Sequence, residues 1–387
     1  MRILYFSRDY TTHDRRFLAK MSQSRHEIWF ARLEDDGMEY EKRSLPDGVR
    51  TVTWPGGSQR YKTPAEWLRL MPYYESVLDE IRPDLVHAGP VQSCGLLTAI
   101  AGFHPLLVMS WGSDILVDAD RDEFWRWMTR YTLIRADMVL SDCNEVSEKV
   151  CQLAGKRPDQ IIQFPWGIDL TQFSPGEDTL RLRDREGWKG ASVVLSTRAW
   201  EPYCGTEVSL EGFRLAYSAE PRLRLVLLGG GSLAPVVRRY VEENDLAAAV
   251  CAPGMVSPTQ LPEYFRAADL YVSCAYSDGT SVSLLEAMAT GLPVVVTDRA
   301  SNREWVSHGE NGWLAAARSP ESVAECILAA VRLDPEQRSG IARTNRSITE
   351  QRANWDRTSE KLLAAYDRME RGRAAVPNMP SDCSRPS

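Results

Sequence analysis

The sequence predicts an α/β protein built from two doubly wound domains with parallel sheets. Short apolar stretches typical of buried strands alternate with amphipathic helical stretches along most of the chain. The alternation restarts once, after a segment interrupted by proline and glycine. The length of 387 residues also exceeds one ordinary domain and suits two of about 150 to 200 residues each.

The first half of the chain contains six predicted strands with amphipathic stretches between them. The strands are RILYFS, HEIWFARL, GVRTVTW, DLVHAG, PLLVMSWG and DMVLSD. Such alternation is typical of βαβ units, whose strands pair in parallel. We therefore expect one doubly wound domain over residues 1–168.

The second half restarts the pattern at SVVLSTR. A helix is expected over 206–218, then RLRLVLLGGG, a helix from about Ala234, AVCAPGMV, LYVSCAY and VVVT. This predicts a second domain over 169–354. The hinge between the domains is expected near residues 165–176, where prolines and glycines break the periodicity.

The composition excludes several function classes. A net charge of -7 and a pI near 5.5 argue against nucleic-acid binding, which needs a concentrated basic surface. The eight cysteines show no metal-ligand spacing and are expected to be reduced core thiols. The N-terminal MRILYFS resembles no signal peptide and no apolar run reaches bilayer length, so a cytoplasmic protein is expected.

The segment SDGTSVSLLEAMATGLPVVVTD contains two carboxylates, Asp278 and Glu286. The pattern predicts a small-residue loop, a short helix with Glu286 in its first turn, and a buried strand. Free amides around residues 280–283 would bind an anion at the helix N-terminus, while the carboxylates would accept hydroxyls. The pair suits a nucleotide sugar; the alternative is an acidic helix start before a buried strand.

Five segments in sequence order resemble the retaining family-4 glycosyltransferases, and the resemblance extends from Met1 to about Tyr366. They are DLVHAG, RADMVLSDCNEVSEKV with WGIDLTQF, LVLLGGGSL, GMVSPTQLPEYFRAADLYVSCAYSDGTSVSLLEAMATGLPVVVTD, and NREWVSHGENGWL. The resemblance implies the GT-B fold, in which two Rossmann-like domains face each other across a cleft. It also implies a final helix over 355–371 that returns to the first domain, before a tail at 372–387 with the composition of a disordered end.

The resemblance assigns a donor site to the second domain. Glu286 would accept ribose hydroxyls and Asp278 hydroxyls of the transferred sugar, although the family has a glutamate at the latter position. The shorter side chain withdraws the carboxylate by about 1.5 Å. The distal phosphate would bind the amides of the loop, and the remaining donor contacts would come from flanking residues. These loop and flanking residues are Gly279, Thr280, Ser281, Val282, Gly230, Met255 and Val256.

The resemblance also implies a cation pair over the diphosphate, of which only the arginine is present. Arg198 matches it, and its planar charged fork suits phosphate oxygens as the leaving group gains charge. The family lysine is missing, because Tyr203 and Cys204 precede Gly205. Either Arg198 acts alone, the Tyr203 hydroxyl substitutes, or catalysis is slow.

The predicted acceptor side lies in the first domain and departs from the family pattern. The loop RDYTTHDRRFL has no glycine, and in MSWGSDIL a tryptophan replaces the usual histidine. Trp111 offers an apolar platform for a sugar face but cannot shuttle a proton at neutral pH. Asp114 is the better polar candidate and is included with Arg198 and Asp278 as catalytic; its alternative role is a helix cap. Gly112 and His13 complete the acceptor-side prediction.

The segment RDEFWRWMTRYTLIRAD has two interpretations. Its interleaved aromatics and arginines fit an interfacial helix that touches anionic lipid. The interpretation favoured from the sequence is an ordinary buried face with arginines outside. That face would consist of Phe124, Trp127, Met128, Tyr131 and Ile134.

The resemblance implies transfer of a hexosyl unit from a nucleotide diphosphate sugar to an acceptor hydroxyl with retention, and it requires no metal or other cofactor. Asp118, Asp120 and Asp122 have Asp-x-Asp spacing but are interpreted as a solvated helix start. The acceptor would be a glycan, a lipid-linked molecule or a small molecule, with peripheral membrane contact left open. Two alternatives remain: an inactive nucleotide-sugar-binding scaffold, and a same-fold epimerase or phosphorylase. The donor base, the sugar and the oligomeric state are left open.

Overall fold

A computed structural model gives the fold and describes residues 1–35, 41–61 and 63–375. It contains two separate sheets in which every pair of neighbouring strands is parallel. The first sheet has seven strands in the order β3-β2-β1-β4-β5-β6-β7. They are β1 (Arg2–Ser7), β2 (Glu27–Arg32), β3 (Val49–Thr51), β4 (Leu85–Gly89), β5 (Leu106–Met109), β6 (Met138–Ser141) and β7 (Ile161–Gln163).

Among the described residues, seven helices accompany this sheet. Several of them begin after a residue whose side chain accepts a hydrogen bond from the first turn. The first has a capping box, in which Thr11 and Asp14 satisfy each other's backbone N–H groups. The helices are α1 (Thr12–Ser22), α2 (Pro64–Leu68), α3 (Met71–Ile81), α4 (Leu96–Ile100), α5 (Ser113–Leu116), α6 (Glu123–Arg135) and α7 (Asn144–Ala154).

The second sheet has six strands in the order β10-β9-β8-β11-β12-β13. They are β8 (Ser192–Ser196), β9 (Leu223–Leu228), β10 (Val250–Gly254), β11 (Leu270–Ser273), β12 (Val294–Thr297) and β13 (Trp313–Ala315). The helices in this part of the chain are α8 (Leu182–Arg185), α9 (Thr206–Ala219), α10 (Ala234–Glu243), α11 (Leu261–Ala267), α12 (Val282–Ala289), α13 (Ala300–Arg303), α14 (Pro320–Val331) and α15 (Pro335–Arg352).

Both sheets have the doubly wound arrangement that the sequence predicts. In each sheet the strand order reverses beside the first strand, between β1 and β4 and between β8 and β11. Ligands of such sheets bind at the carboxyl ends of the strands beside this reversal. Two strands were not predicted, β7 and β13. Strand β7 lies immediately before the predicted hinge, and each of the two is only three residues long.

The C-terminal helices return to the first domain, as the resemblance implies. They are α16 (Trp355–Thr358) and α17 (Glu360–Ala375). Leu362, Tyr366 and Met369 pack into the same core cluster as Ile3 and Tyr5 of β1. The Tyr366 hydroxyl also lies 2.7 Å from Nδ1 of the buried His87.

Helix α17 ends four residues beyond the predicted end at 371, and residues 376–387 of the predicted tail lie outside the described residues. The boundaries at 168 and 354 stay predictions. None of the helices in the described part of the chain is long and apolar enough to cross a bilayer.

Helix α6 contradicts the predicted buried face. Phe124, Trp127 and Ile134 are 50%, 51% and 56% exposed, whereas Met128 is buried and the half-buried Tyr131 packs against the core. The helix packs instead through Met128, Thr129, Thr132 and Leu133. The prediction was wrong because this helix has large residues on both of its sides, so hydrophobic periodicity alone did not identify the side that meets the core.

Candidate functional site

The loops at the carboxyl ends of the central strands meet between the two sheets. Asp142 follows β6 of the first sheet, while Arg198 follows β8 and Asp278 follows β11 of the second. The carboxyl ends of parallel strands share one edge of a sheet, so each domain directs its loops into a common cleft. The predicted donor residues and the predicted acceptor residues both lie along this cleft.

Arg198 and Asp278 form an ion pair on the second-domain side of the cleft. Nη1 of Arg198 lies 2.8 Å from Oδ2 of Asp278 and donates to Oγ of Ser281 at 3.2 Å. Burial lowers the pKa of Arg198, but the Asp278 carboxylate and the neighbouring Tyr271 raise it by more, so the net shift is upward. Arg198 is therefore a permanent cation held beside the loop that the sequence assigns to phosphate.

Helix α12 begins at Val282, two residues before the LLEAMA stretch that the sequence predicted as helix. Ser281 is its N-cap and accepts a hydrogen bond from the amide of Leu284. Glu286 therefore lies in the second turn, and the prediction that it occupies the first turn was wrong. The helix dipole therefore has little effect on the Glu286 carboxylate, because the dipole effect falls off within one turn. Within the described chain, the amides of Ser281, Val282 and Ser283 donate no hydrogen bond.

Glu286 is instead controlled by burial and by one cation from the other domain. Burial raises the pKa of Glu286 to about 8, and Arg16 on α1 opposes that rise. The Arg16 guanidinium lies over the ring of Trp355, with its Cζ 4.6 Å from the ring centroid, and donates to the carbonyl of Gly167. Arg16 therefore links the first domain, the hinge and the final helices next to the predicted ribose site.

Asp142 is a site residue that the sequence did not identify. Its Oδ2 accepts a hydrogen bond from the amide of Thr280 at 2.8 Å, and its backbone carbonyl accepts from the Thr280 hydroxyl at 2.7 Å. Its Oδ1 is buried and has no hydrogen-bond partner among the described residues. Burial and the nearby Asp278 raise the pKa of Asp142 to about 7, although the Thr280 amide opposes this. A first-domain carboxylate thus accepts the hydrogen bond of an amide that was predicted to bind phosphate.

Two glycines allow the two domains to approach this closely. Gly279 has no side chain where a Cβ would overlap the carboxylate of Asp142. Gly112 has φ of +84°, which favours glycine, and a Cβ there would lie 2.7 Å from the amide nitrogen of Gly279. Both glycines were predicted at the site for their place in the motifs. The structure shows that the loops of the two domains can touch here because neither glycine has a side chain.

A second set of contacts extends from this point along α7. Glu145 pairs with Arg299 at 2.9 Å and accepts from the amide of Ser301. The amide of Asn144 donates to Glu304 at 2.9 Å, and burial raises the pKa of Glu304. These contacts join the N-terminus of α7 to α13 and its flanks, so the cleft is closed at this edge.

Asp114 is buried and its side chain holds the turn between β5 and α5. Oδ1 accepts from the Ser110 hydroxyl at 2.8 Å and from the Trp111 amide at 3.0 Å, and Oδ2 accepts from the amide of Val91 at 3.2 Å. Burial raises the pKa of Asp114 to about 6 while these hydrogen bonds oppose the rise. The predicted capping role is not observed, because Gly112 is the N-cap of α5 without any side-chain cap and Asp114 lies inside the helix. A catalytic role for Asp114 stays a prediction.

Trp111 and His13 lie next to each other on the acceptor side. Their ring centroids are 5.8 Å apart, and Trp111 stacks on Trp166 with centroids 5.5 Å apart. Burial and the nearby Arg16 lower the pKa of His13 to about 4. Without a ligand, His13 is therefore neutral at pH 7.

An open cleft of about 440 Å³ extends beside Trp111 and His13. Nearly all of its lining comes from the first domain, and Tyr203 of the second domain completes it. Charged groups of both signs line the walls, which suits a hydroxylated or ionic acceptor. The charged and titratable lining residues are Arg8, Asp9, His13, Asp14, Glu34, Arg60 and Tyr203.

Tyr203 and Cys204 occupy the region of the missing lysine in different ways. Tyr203 is 46% exposed and lines the cleft, whereas Cys204 is buried. Burial raises the pKa of the Cys204 thiol although the nearby Arg198 lowers it. Of the two residues, Tyr203 is the one whose polar group is available to a ligand.

The remaining predicted donor residues lie together at the edge of the second sheet. Gly230 follows β9, and a Cβ on it would lie 3.8 Å from Cγ of Met255, which is 64% exposed. Val256 continues the same loop after β10. Their contacts with a nucleotide stay predictions.

The aspartates of the Asp-x-Asp segment make other contacts, and no group of three or more potential metal ligands clusters among the described residues. Asp120 pairs with Arg126 and Lys149, and Asp122 caps α6 through the amide of Trp125.

The sequence analysis did not identify Asp142 and Arg16 as site residues, although both lie at the same kind of position in the sequence pattern. Asp142 is the last residue of the predicted strand DMVLSD and directly follows the observed β6, and Arg16 lies one turn into the helix after the first strand. In a doubly wound sheet, both are positions beside the cleft. The pattern identifies positions, but it cannot identify which residue of the other domain each one contacts.

Two family matches cover most of the chain. Residues 178–347 match the family described as "Glycosyl transferases group 1", and residues 2–143 match "Glycosyl transferase 4-like". Among curated proteins, the D-inositol 3-phosphate glycosyltransferase of Acidothermus cellulolyticus is 29% identical over 241 residues, which are 60% of this chain and 53% of that protein. The chain spans about half the length of the curated relatives it matches.

Solved structures show the same fold over nearly the whole chain. Anabaena HepE in complex with UDP-glucose has a TM-score of 0.77 at 19% identity, covering 97% of this chain and 100% of that one. The sucrose-phosphate synthase of Thermosynechococcus elongatus has a TM-score of 0.79 at 16% identity, covering 96% of this chain and 100% of that one. The predicted fold class is confirmed. With both halves matched and the architecture shared, the chain belongs to the family-4 glycosyltransferases of the GT-B fold.

Proposed function

We propose that this protein transfers a hexosyl unit from a nucleotide diphosphate sugar to an acceptor hydroxyl, with retention at the anomeric carbon. The observation that carries the proposal is the Arg198–Asp278 ion pair at the N-terminus of α12. It combines a buried cation, unused backbone amides and a carboxylate in one place. Phosphate needs the first two and sugar hydroxyls need the third.

The donor would lie along the second-domain side of the cleft. Its diphosphate would be held by Arg198 and the amides of Ser281 and Val282, with the sugar directed to Asp278 and the ribose to Glu286. The amide of Thr280 becomes available only when Asp142 moves, since Asp142 accepts its hydrogen bond. Arg198 would act most strongly in the transition state, when the leaving phosphate gains charge.

The acceptor would enter the cleft beside Trp111 and Tyr203, where apolar ring and polar groups adjoin. The reaction proposed is attack on the same face from which the phosphate departs, with a leaving-phosphate oxygen taking the acceptor proton. Tyr203 is the candidate to replace the family lysine, because its hydroxyl is able to donate a hydrogen bond to a phosphate oxygen.

The names of the relatives guide the choice of donor. HepE was solved with UDP, with UDP and glucose, and with UDP-glucose, and several curated relatives are D-inositol 3-phosphate glycosyltransferases. UDP-hexoses are therefore the first donors to test, and phosphorylated polyols are the first small acceptors.

The test incubates the purified protein with UDP-, GDP- and ADP-hexoses, with and without acceptor, and measures nucleoside diphosphate release. We expect release from one donor class that depends on acceptor. Proton NMR of the product reports the anomeric configuration, and inversion would contradict the proposed mechanism. Donor binding without release under any condition would favour the inactive scaffold, and conversion of the donor to its epimer would favour the epimerase.

A further inference from the structure

Helix α6 presents a second apolar face to solvent. Phe124, Trp127 and Ile134 are its exposed members, and the half-buried Tyr131, which also packs against the core, completes it; these four residues are here termed the aromatic stripe. The ring centroids of Phe124 and Trp127 lie 5.9 Å apart, and those of Trp127 and Tyr131 lie 5.5 Å apart, both in stacked geometry. Three of the four side chains are at least half exposed, so the stripe is a continuous apolar surface in water.

The stripe is not needed to attach α6 to the protein. Met128, Thr129, Thr132 and Leu133 on the other side of the helix are buried and make the packing contacts. A helix that lies on a domain usually exposes polar residues opposite such a face. Contiguous exposed apolar surface of this kind indicates an interaction site.

Within α6 the arginines outnumber the acidic residues, although Asp118, Asp120 and Asp122 lie just before the helix and Asp137 lies just after it. The chain has a net charge of -7, yet α6 contains Arg126, Arg130 and Arg135 against a single acidic residue, Glu123 at its first position. Arg126 pairs with Asp120 at 2.5 Å. In the described chain, Arg130 and Arg135 form no ion pair with a carboxylate, and Arg135 instead lies over the ring of Tyr131.

We propose that the aromatic stripe and Arg130 and Arg135 form a docking face for an anionic lipid surface. Aromatic rings and an aliphatic side chain would enter the boundary between head groups and acyl chains, while the guanidinium groups bind lipid phosphates. The stripe runs along the 13 residues of α6, so the helix axis would lie parallel to the membrane over about 20 Å.

The arginines favour lipid over a second copy of this chain as the occupant. A symmetric dimer through this face would bring the uncompensated arginines of both copies close together, and like charges at an interface are unfavourable. An anionic lipid surface supplies the opposite charge and the apolar phase together.

The packing side of α6 connects this face to the cleft. The side-chain amide of Gln92 donates to the hydroxyl of Thr129 on α6 at 2.8 Å and to the carbonyl of Asp114 at 2.6 Å. A membrane-bound α6 would therefore hold the Trp111–Asp114 turn in a fixed position above the lipid surface. The lipid inference does not depend on the proposed transfer reaction.

The test measures co-sedimentation of the full chain with vesicles of phosphatidylcholine alone and of equimolar phosphatidylcholine and phosphatidylglycerol. We expect binding to the anionic vesicles that weakens as salt is raised. The double variant R130Q/R135Q should lower the partition coefficient about thirtyfold, and F124S/W127S about tenfold or more. The matched control is V236S with R238Q and R239Q on α10, exposed residues of the same types on the second domain, which should bind as wild type.

Circular dichroism and donor binding of each variant report whether it is folded. Equal binding of wild type and the α6 variants to anionic vesicles would overturn the proposal, as would binding to neither vesicle type. A concentration-dependent dimer that F124S/W127S abolishes would assign the face to a second copy and would also overturn it. Because the readout is lipid binding, failure of the transfer assay leaves the result interpretable.

Discussion

Arg198 is the residue whose role changes most between the ground state and the transition state. Its pairing with Asp278 neutralises both groups in the resting site. As the bond to phosphate breaks, the leaving group gains charge and competes for the same cation. We therefore expect Arg198 to contribute more to turnover than to donor affinity.

The Arg198→Ala variant should lower kcat by about a hundredfold and donor affinity by much less. Removing the cation also leaves Asp278 without its counter-charge. Arg198→Lys is the matched control, because it keeps the charge and loses the planar fork. Steady-state kinetics with calorimetric donor binding separate the two effects. A loss confined to affinity, with kcat unchanged, would contradict this role.

Glu286 gives a residue-scale prediction about pH. The pKa of Glu286 is raised to about 8 by burial, so near pH 7 it is mostly protonated in the closed site. Ribose hydroxyls bind the carboxylate more strongly than the acid, because a charged acceptor makes the stronger hydrogen bond. Donor affinity should therefore increase as pH rises toward about 8 and level off above it.

The Glu286→Gln variant should lose about 1.5 to 3 kcal/mol of donor binding above that pH and should lack the pH-dependent step. Calorimetric titration of wild type and variant over the same pH series measures both. A wild-type profile that is flat, or that the variant reproduces, would remove Glu286 from the ribose site.

At the scale of elements, the sequence predicted what depends on local pattern. Strands such as β1, β4 and β12 were predicted correctly because central strands of parallel sheets are buried on both faces and read as apolar runs. Strands β7 and β13 were missed, and each is only three residues long; the equally short β3 was predicted because it lies inside the longer stretch GVRTVTW. The start of α12 was misjudged because Val282 lies between two serines, so the helix begins before the apolar run at Leu284.

The sequence could not predict features that depend on distant residues. Asp142 contacts Thr280, a residue 138 positions later in the chain, and no local pattern contains that distance. The exposure of the aromatic stripe depends on which side of α6 meets the core. Because α6 has large residues on both sides, its sequence does not identify the buried side. The donor loop was identified because its residues are contiguous in the sequence. The closed cleft was not predicted, because it depends on how loops of two domains contact each other.

The loop between β11 and α12 gives a prediction at this scale. Gly279→Ala should lower turnover, because its new Cβ overlaps the carboxylate of Asp142 and keeps the two domains apart. Overpacking of this kind costs about 1 to 3 kcal/mol, which corresponds to a loss of about fivefold to more than a hundredfold. Gly340→Ala on α15 is the control, because a Cβ there meets no atom within 4 Å.

Turnover and thermal unfolding are measured for both glycine variants. We expect Gly279→Ala to keep its midpoint of unfolding close to wild type, since the affected contact lies between domains and not within a core. Wild-type turnover in Gly279→Ala would mean that the observed contact of the two loops is not part of the catalytic cycle.

For the whole molecule, closure of the cleft and proton uptake are coupled. Two carboxylates that lie between the domains have raised pKa values, namely Asp142 and Glu304. In each case burial is the largest cause, and opening the cleft would return these groups to water. The closed state thus binds protons more tightly than the open state.

The sign of the effect follows for Asp142. Its pKa is about 7 in the closed state, and opening lowers it toward the usual 3.8. The closed state is therefore most favoured below the lower value, and this advantage is lost as pH rises through about 7. Protonation of each carboxylate with a raised pKa at the interface favours the closed state in the same way. A nucleotide sugar opposes the loss, because it binds groups of both domains and favours the closed state.

Small-angle scattering tests this coupling in the whole protein. Without donor, the radius of gyration should increase as pH is raised through about 7, and saturating donor should keep it small at every pH. Asp142→Asn should flatten much of the increase, because the amide cannot ionise and its carbonyl still accepts from Thr280. The control is Asp159→Asn, an exposed carboxylate in the first domain away from the cleft. A radius of gyration that does not change with pH in an active protein would mean that the carboxylates between the domains do not control closure.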